Sequence, residues 1–459
     1  MKVGKTFYRL GFVAGRRVGR KACARAGLTA CRGSSAGIFL CLCLISIIEV
    51  FSAASTLTYK SGDHWGPITQ HSVILMVGAV VVVILHNIPY KWFQVFPVFL
   101  YPISLVLLAF VTLMGIITGD RVNGAARWMT FMGLQFQPSE LAKMAVIIAV
   151  SFILSKKQDE YGANPKAFKY IMILTGLVFL LIAPENLSTA MLLFGVVCMM
   201  MFIGRVSSKK LFGMLGLMAL VGIVAVGILM AIPGKTLHNT PGLHRFETWQ
   251  NRVSGFFENK EVPAAKFDID KDAQIAHARI AIATSNVVGK GPGNSIQRDF
   301  LSQAFSDFIF AIVIEEMGLI GGIFVVFLYL CLLMRAGRIA QKCERTFPAF
   351  LVMGIALLLV SQAILNMMVA VGLFPVTGQP LPLVSKGGTS TLINCAYIGM
   401  ILSVSRYTAH LEEQKAHDAQ IQLQIATDAA ANSEAQTAAE PTAQILNSDA
   451  KFEDESDKR

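Results

Sequence analysis

Asp307 is the residue of this sequence best placed for acid–base chemistry, because it stands where a polar stretch gives way to a long apolar run. An aspartate that opens a helix is often an N-cap, a role worth about 1 kcal/mol of stability. At the edge of an apolar helix, burial also favours the protonated carboxyl group, which suits a general base. Glu315 and Glu316 follow about two turns further on, and the ordinary interpretation of such acids is a buried, paired or protonated group.

A glycine-rich segment, residues 289–297, precedes this aspartate and reads Gly-Lys-Gly-Pro-Gly-Asn-Ser-Ile-Gln. Its glycines imitate a phosphate-binding loop, but no strand precedes them and no Gly-Lys-Ser/Thr closes them. A nucleotide site is therefore not indicated, and a tight turn is the better interpretation. Lys290 and Gln297 are the candidate substrate-binding residues of this segment.

A second charged motif consists of Arg127 and Trp128, followed by residues 137–143, which read Gln-Pro-Ser-Glu-Leu-Ala-Lys. The proline suits the first turn of a helix. Glu140 then lies near the positive helix end, and Lys143 shares a helix face with it. One interpretation is a local ion pair that lets two charges enter the membrane. The other adds a cationic wall for an anionic substrate, and the two are compatible. Arg127, Glu140 and Lys143 are the candidate substrate-binding residues of this motif.

A third motif, residues 372–390, contains three prolines and four glycines and cannot be helical throughout. It must therefore pack on protein or face a water-filled cavity. Ser385, Lys386, Thr389 and Ser390 supply donors near a helix N-terminus, a suitable place for phosphate. A simple connector between two helices is the equally supported alternative.

The elements that position these motifs belong in a bilayer. Of the 459 residues, 54% are hydrophobic and 15% charged, and the mean hydropathy is +0.57. A soluble domain carries about 25% charged residues, so this apolar excess indicates membrane burial. The formal net charge is +11, but residues 1–35 alone hold nine Lys or Arg and no acid. Such a segment marks the cytoplasmic side and favours anionic lipid, so nucleic-acid binding is not indicated.

Hydropathy predicts an all-α polytopic membrane protein with ten transmembrane helices. The predicted spans are 36–54, 72–89, 93–118, 138–155, 168–184, 187–204, 211–232, 307–334, 349–371 and 389–405. The polar pair Glu185–Asn186 separates two short spans and predicts a helical hairpin. Clusters of Lys and Arg then all fall on one side, which predicts that both termini are cytoplasmic.

Three regions follow from this organisation: a basic cytoplasmic segment (1–35), a membrane domain (36–406) and a cytoplasmic tail (407–459). The membrane domain would carry one large extracytoplasmic loop, 233–306. The tail is rich in Ala, Gln, Glu and Asp, which predicts a largely disordered extension with a possible helix over 408–427. The eight Cys and eight His show neither a disulfide framework nor metal-ligand spacing, and no cleavable signal peptide is evident.

These motifs, in this order and spacing, resemble the SEDS family, and within it the members associated with cell division rather than elongation. The resemblance covers roughly residues 36–406 and rests on the segments 124–128, 137–143, 252–256, 289–297, 307–316 and 375–390. It implies a ten-helix fold with both ends cytoplasmic. It also implies a glycosyltransferase that polymerises lipid II into glycan strands at the outer face of the inner (cytoplasmic) membrane, for septal wall synthesis. A class B penicillin-binding protein that crosslinks the product, and other divisome membrane proteins, would be its partners.

Position by position, the resemblance assigns the family's catalytic aspartate to Asp307. The family's Pro-Glu-Ala-His-Thr-Asp appears here as Ser-Gln-Ala-Phe-Ser-Asp over residues 302–307, so only the alanine and the aspartate are kept. An acid of the family is replaced by Asn186, and a tyrosine is replaced by Lys386. This lysine adds a cation that could bind phosphate or point to lipid headgroups.

The implied reaction is proton removal by Asp307 from the sugar 4-hydroxyl of lipid II, with polyprenyl pyrophosphate as the leaving group. The cations that could stabilise that group are Arg127, Lys143, Arg245, Arg252 and Lys290, and the family match best supports Arg252. A divalent cation such as Mg²⁺ or Mn²⁺ could share this task. Two alternatives remain: a lipid II flippase, which predicts paired repeats and broken helices, and a non-catalytic division scaffold, for which Asp307 is dispensable.

Overall fold

The computed structural model describes residues 19–53, 65–117, 129–131, 134–159, 162–231, 250, 273–301 and 304–456. Long helices dominate this part of the chain. The helices are α1 Gly19–Ala53, α2 Gly66–Asn87, α3 Phe96–Ile117, α4 Pro138–Lys156, α5 Pro165–Ile203, α6 Ser208–Ala231, α7 Ala273–Thr284, α8 Ile309–Lys342, α9 Thr346–Ala370 and α10 Thr389–Ser456. Two short antiparallel hairpins pair β1 Met129–Phe131 with β2 Leu134–Phe136, and β3 Gln158–Asp159 with β4 Gly162–Ala163.

Eight of the described helices are long and apolar enough to cross a membrane: α1 (from Ser35), α2, α3, α4, α5, α6, α8 and α9. Their burial differs strongly, since 72% of the apolar window of α4 is buried inside the protein but only 6% of that of α6. α4 therefore lies at the centre of the bundle, and α6 presents its apolar side chains outward, as a bilayer requires. The prediction of an all-α, multi-pass membrane protein is confirmed.

The long helix α5 doubles back on itself. A straight helix of its 39 residues would extend about 58 Å. Instead its two ends meet, because the amide of Ala163 donates to the carbonyl of Arg205 at 3.3 Å. The reversal lies at Asn186, whose backbone is non-helical and whose side-chain oxygen accepts from the amide of Thr189 at 3.2 Å. The predicted hairpin at Glu185–Asn186 is confirmed, with no loop between its arms.

A small apolar core holds the ends of several helices together around the start of α8. Its buried members are alanines, branched aliphatic residues and one phenylalanine: Ala53, Ala278, Ala281, Leu301, Ala304, Phe308, Ala311, Ile312 and Val369. They come from α1, α7, the segment before α8, α8 itself and α9. The small side chains allow a close approach of these elements, which fixes the turn that contains Asp307.

The tail differs from its prediction. The chain divides into two compact units, Met1–Arg406 and Tyr407–Arg459. Composition favoured a largely disordered extension after residue 406, but α10 continues to Ser456. The many Ala, Gln and Glu residues of this segment are strong helix formers, which accounts for the difference. The helix α7 is a second unpredicted element, within the part of loop 233–306 that the structure describes. Ten spans, the cytoplasmic termini and the predicted domain limits stay predictions.

Candidate active site

Asp307 lies in a turn over residues 304–308 that leads into α8. The helix begins at Ile309, and its N-cap residue is Phe308, not Asp307. The prediction that Asp307 opens the helix as its N-cap is therefore wrong by one residue, because the tight turn before α8 delays the first helical position. The Asp307 side chain is partly exposed, whereas Phe308 beside it is buried.

Three consecutive backbone carbonyls of this turn are clasped by donors, two from the loop between α9 and α10 and one from Asn366 of α9. The amide of Lys386 donates to the carbonyl of Phe305 at 2.9 Å. The hydroxyl of Ser385 donates to the carbonyl of Ser306 at 2.6 Å. The side-chain amide of Asn366 donates to the carbonyl of Asp307 at 2.8 Å. The turn with the candidate base and the loop with the candidate phosphate ligands thus form one unit.

The same loop is held from its other side by side chains of three helices. Gln362 of α9 donates to the carbonyl of Pro380 at 3.1 Å, and Ser46 of α1 donates to the carbonyl of Val384 at 2.8 Å. The hydroxyl of Tyr329 in α8 donates to the carbonyl of Pro382. A non-helical segment inside a membrane domain needs such partners. The loop therefore packs on protein, as its prolines and glycines predicted.

Lys386 presents its ammonium group at this junction. Its Nζ lies 5.7 Å from the ring centroid of Phe305, a cation–π contact. Burial lowers the pKa of the Lys386 ammonium below the ordinary lysine value. Among the residues that the structure describes, no carboxylate forms a salt bridge with it. Two other candidates lie in the first turn of α10, where Thr389 accepts from the amide of Gln137 at 3.3 Å and Ser390 is buried.

Glu140 and Lys143 form the local ion pair that the sequence suggested. The Nζ of Lys143 lies 2.8 Å from a Glu140 carboxylate oxygen, and both side chains are buried. The same ammonium donates to the side-chain oxygen of Gln362 at 3.1 Å. Lys143 is therefore linked through Gln362 to the backbone of the α9–α10 loop. The cationic-wall interpretation of this pair stays a prediction.

The glycine-rich segment folds as the tight turn that its sequence predicted. Gly289, Gly291 and Gly293 all have positive φ angles of 81°, 88° and 86°. A Cβ at Gly289 would lie 2.3 Å from the backbone carbonyl oxygen of Glu316. The turn therefore depends on glycine, because a side chain at this position would collide with backbone that cannot rotate away.

The amides of this turn bind two buried carboxylates of α8. Glu315 accepts from Lys290 Nζ at 2.6 Å and from the amides of Ile296 at 3.2 Å and Gln297 at 3.3 Å. The hydroxyl of Ser295 also donates to it. The interpretation of Glu315 as a buried, paired acid is confirmed, and Lys290 is paired with it.

Glu316 links the same turn to α1 through hydrogen bonds to both elements. It accepts from the amides of Gly293 at 3.0 Å and Ser295 at 3.2 Å, and from the hydroxyl of Ser52 in α1. The Arg298 guanidinium lies 3.9 Å away. In a phosphate-binding loop, backbone amides donate hydrogen bonds to the ligand. Here Glu315 and Glu316 accept the hydrogen bonds of those amides instead.

The remaining candidates divide between described and undescribed parts of the chain. The side-chain oxygen of Gln297 lies 2.7 Å from Nδ1 of His277, whose ring stacks on Phe300. Gln297 is therefore linked to α7. Arg127, Arg245 and Arg252 lie outside the described residues. Within the described ranges, no group of three His, Cys, Asp or Glu could hold a metal ion.

Sequence reasoning missed buried polar residues within the apolar spans, among them Gln362, Asn366 and Ser46, which hold the loop and the Asp307 turn. Gln362 and Asn366 are four residues apart on α9, and Ser46, Glu49 and Ser52 recur every three residues on α1. Such spacings place polar groups on one helix face. Polar residues that recur on one face of an apolar span are the sequence pattern from which these positions could have been predicted.

Fold and site describe a helical, multi-pass membrane protein whose polar groups meet around one loop cluster. The family model of FtsW, RodA and SpoVE, described as cell cycle proteins, matches residues 34–410. The chain belongs to this family. A curated relative from Geobacter sp. (strain M18), named "Probable peptidoglycan glycosyltransferase FtsW", is 32% identical over 371 residues, 79% of this chain and 94% of the relative. A relative of the same name from Halomonas elongata is 30% identical over 387 residues, with 82% and 91% covered.

Solved structures share the fold. A chain of a peptidoglycan synthase complex superposes with a TM-score of 0.62 at 24% identity, covering 82% of this chain and 97% of that chain. The rod shape determining protein RodA of Thermus thermophilus superposes with a TM-score of 0.54 at 23% identity, covering 81% and 95%. The SEDS resemblance that the motifs suggested is confirmed.

Proposed function

We propose that this chain is a peptidoglycan glycosyltransferase that polymerises lipid II into glycan strands at the outer face of the inner membrane. Family membership over residues 34–410 supports the proposal, as do the names of the curated relatives. The observation that carries the chemistry is the turn at Asp307, whose three backbone carbonyls are held by the α9–α10 loop and by Asn366 of α9. Septal wall synthesis is the role proposed from the relatives' name.

In the proposed reaction, Asp307 removes the proton of the acceptor's sugar 4-hydroxyl while that oxygen attacks the donor's anomeric carbon. A new glycosidic C–O bond forms as the bond from the anomeric carbon to the pyrophosphate oxygen breaks. The configuration inverts, and polyprenyl pyrophosphate leaves with the electron pair. Because a sugar hydroxyl ionises far above neutral pH, base assistance is required, and it is typically worth about 10²- to 10⁴-fold in rate.

The leaving pyrophosphate needs positive charge. Lys143 and Lys290 are each paired with a glutamate, so their charge is already balanced within the protein. Arg127 and Arg252 remain candidates from the sequence. The described residues supply no cluster of metal ligands, and a Mg²⁺ or Mn²⁺ ion on the pyrophosphate stays a proposal from the sequence.

The proposed partners are a class B penicillin-binding protein that crosslinks the product and other membrane proteins of the division machinery. One solved chain with the same fold comes from a peptidoglycan synthase complex that coordinates polymerization and crosslinking. We place both termini in the cytoplasm on the strength of the basic segment 1–35 and the other Lys and Arg clusters. Asp307 then lies on the outer side, where lipid-linked sugars and growing strands meet.

Reconstitution tests the proposal. Wild-type protein in vesicles, together with its partner transpeptidase, should convert purified lipid II into long glycan strands and release polyprenyl pyrophosphate. Asp307→Asn should make no strands, while the matched variant Asp299→Asn, an exposed aspartate of the same outer segment, should keep wild-type activity. Transport of lipid II without polymer formation by the wild type would contradict the proposal and favour a flippase.

A further inference from the structure

Lys386 differs from Lys143 and Lys290 in having no acidic partner among the residues that the structure describes. Lys143 is bound to Glu140 at 2.8 Å and Lys290 to Glu315 at 2.6 Å. No carboxylate within the described ranges forms a salt bridge with Lys386, although its side chain is half-buried. A partly desolvated charge without a counter-ion is unfavourable. The site is therefore suited to an anion that the described part of the chain does not supply.

Two contacts fix where this ammonium group lies. The backbone amide of Lys386 donates to the carbonyl of Phe305 at 2.9 Å, and its Nζ lies 5.7 Å from the Phe305 ring centroid. Phe305 is itself packed against the apolar core at the start of α8. The cation is thus tied to a ring that stands two residues before Asp307.

The loop backbone around Lys386 is equally constrained. The carbonyl of Val384 accepts from Ser46 of α1 at 2.8 Å. The hydroxyl of Ser385 accepts from the amide of Leu381 at 2.8 Å while it donates to Ser306 at 2.6 Å. These bonds come from elements on both sides of the loop. Lys386 therefore projects from a rigid support, as a positioned ligand-binding group must.

We propose that Lys386 binds the pyrophosphate that links the sugar to its lipid carrier, beside Asp307. This inference rests on the proposed function. A membrane headgroup offers the same phosphate chemistry, but the contacts with Phe305 and the clasped loop hold the ammonium at the Asp307 turn. The sequence resemblance puts a tyrosine at this position, so the cation is a feature of this chain.

The test compares Lys386→Met, which keeps length but removes charge, with Lys386→Arg, which keeps charge. Lys169→Met is the matched control, because Lys169 is an exposed lysine in the first turns of α5. In reconstituted vesicles, Lys386→Met should lower kcat/KM for lipid II by about 10- to 100-fold, the range expected for one hydrogen bond to a charged group. Lys386→Arg should retain most activity. Inorganic pyrophosphate should inhibit wild type and Lys386→Arg but inhibit Lys386→Met at least about 10-fold more weakly.

The outcomes separate this inference from the function on which it rests. If the wild-type protein makes no polymer from lipid II, the proposed function is wrong. If the wild type is active but Lys386→Met behaves like Lys169→Met in both assays, the proposed role of Lys386 is wrong and the proposed function still holds. Running the variants in phosphatidylcholine and in phosphatidylglycerol vesicles identifies a headgroup ligand: a defect confined to the anionic vesicles would overturn the proposal. Thermal unfolding verifies folding, and if Lys386→Met does not fold, Lys386→Gln takes its place.

Discussion

Replacing Gly318 by alanine should destabilise the protein by an amount that the backbone geometry sets. Gly318 interrupts α8 with φ of 72° and ψ of −176°. Side-chain-bearing residues adopt this conformation at a cost of order 1–3 kcal/mol. A Cβ there would also lie 2.3 Å from the carbonyl oxygen of Val287 and 2.5 Å from the amide nitrogen of Gly289. Relief of such overpacking typically costs about 1–3 kcal/mol. The expected loss is therefore about 2–6 kcal/mol.

The same helix supplies the matched control. Gly337 of α8 has nothing within 4 Å of its hypothetical Cβ and no positive φ angle. Alanine there should stabilise the helix by about 0.5–1 kcal/mol, because glycine loses more conformational freedom on folding. Thermal unfolding in detergent should rank Gly337→Ala at or above wild type and Gly318→Ala well below it.

Activity should follow the same order. Gly318 lies two residues after Glu316, and Glu315 and Glu316 bind the amides of the glycine-rich turn. If alanine displaces that turn, the segment leading to Asp307 loses its anchor, so polymerisation should fall in the fraction that remains folded. Equal unfolding temperatures for the two alanine variants would refute the argument that this close backbone contact holds the turn in place.

Three further predictions follow from the loop cluster and the hairpin. Asn366→Ala should leave two backbone carbonyls without their donor and lower stability by about 2 kcal/mol or more, measured by thermal unfolding, with a loss of polymerase activity. Asn186→Ala should cost about 1 kcal/mol through loss of the bond to the Thr189 amide, whereas Asn186→Asp should keep it. Because burial lowers the pKa of Lys386, its charge is lost at a lower pH than that of an ordinary lysine. The kcat/KM for lipid II should therefore fall on the alkaline side below the usual lysine range, and Lys386→Arg should remove this fall. His71→Gln serves as a control for the profile, because His71 of α2 is coupled electrostatically to Lys386.

The sequence was sufficient for the features that depend on local composition. Apolar runs located the membrane-crossing helices, and the polar pair at Glu185–Asn186 located the reversal of α5. The glycines of residues 289–297 predicted a tight turn, and Glu140 with Lys143 predicted an ion pair. Each of these needs only residue type and spacing.

The features that sequence reasoning missed depend on contacts between distant segments. The carbonyl of Asp307 meets Asn366, which is 59 residues further along the chain. The hydroxyl of Ser52 meets Glu316, 264 residues away. Nothing local predicts such pairings. The N-cap at Phe308 was missed for a different reason: the backbone of the preceding turn, rather than the preference of aspartate for capping, decides where α8 begins.

The most direct test of the account separates binding from chemistry at Asp307. Lipid II binding to vesicles of wild type and Asp307→Asn should be equal within about two-fold, because the substitution keeps size and the clasping backbone bonds. Under saturating lipid II, the turnover rate of Asp307→Asn should fall by at least about 10²-fold, the lower end of what a general base supplies. A turnover rate close to wild type, or a loss explained entirely by weaker binding, would contradict the assignment of Asp307 as the base.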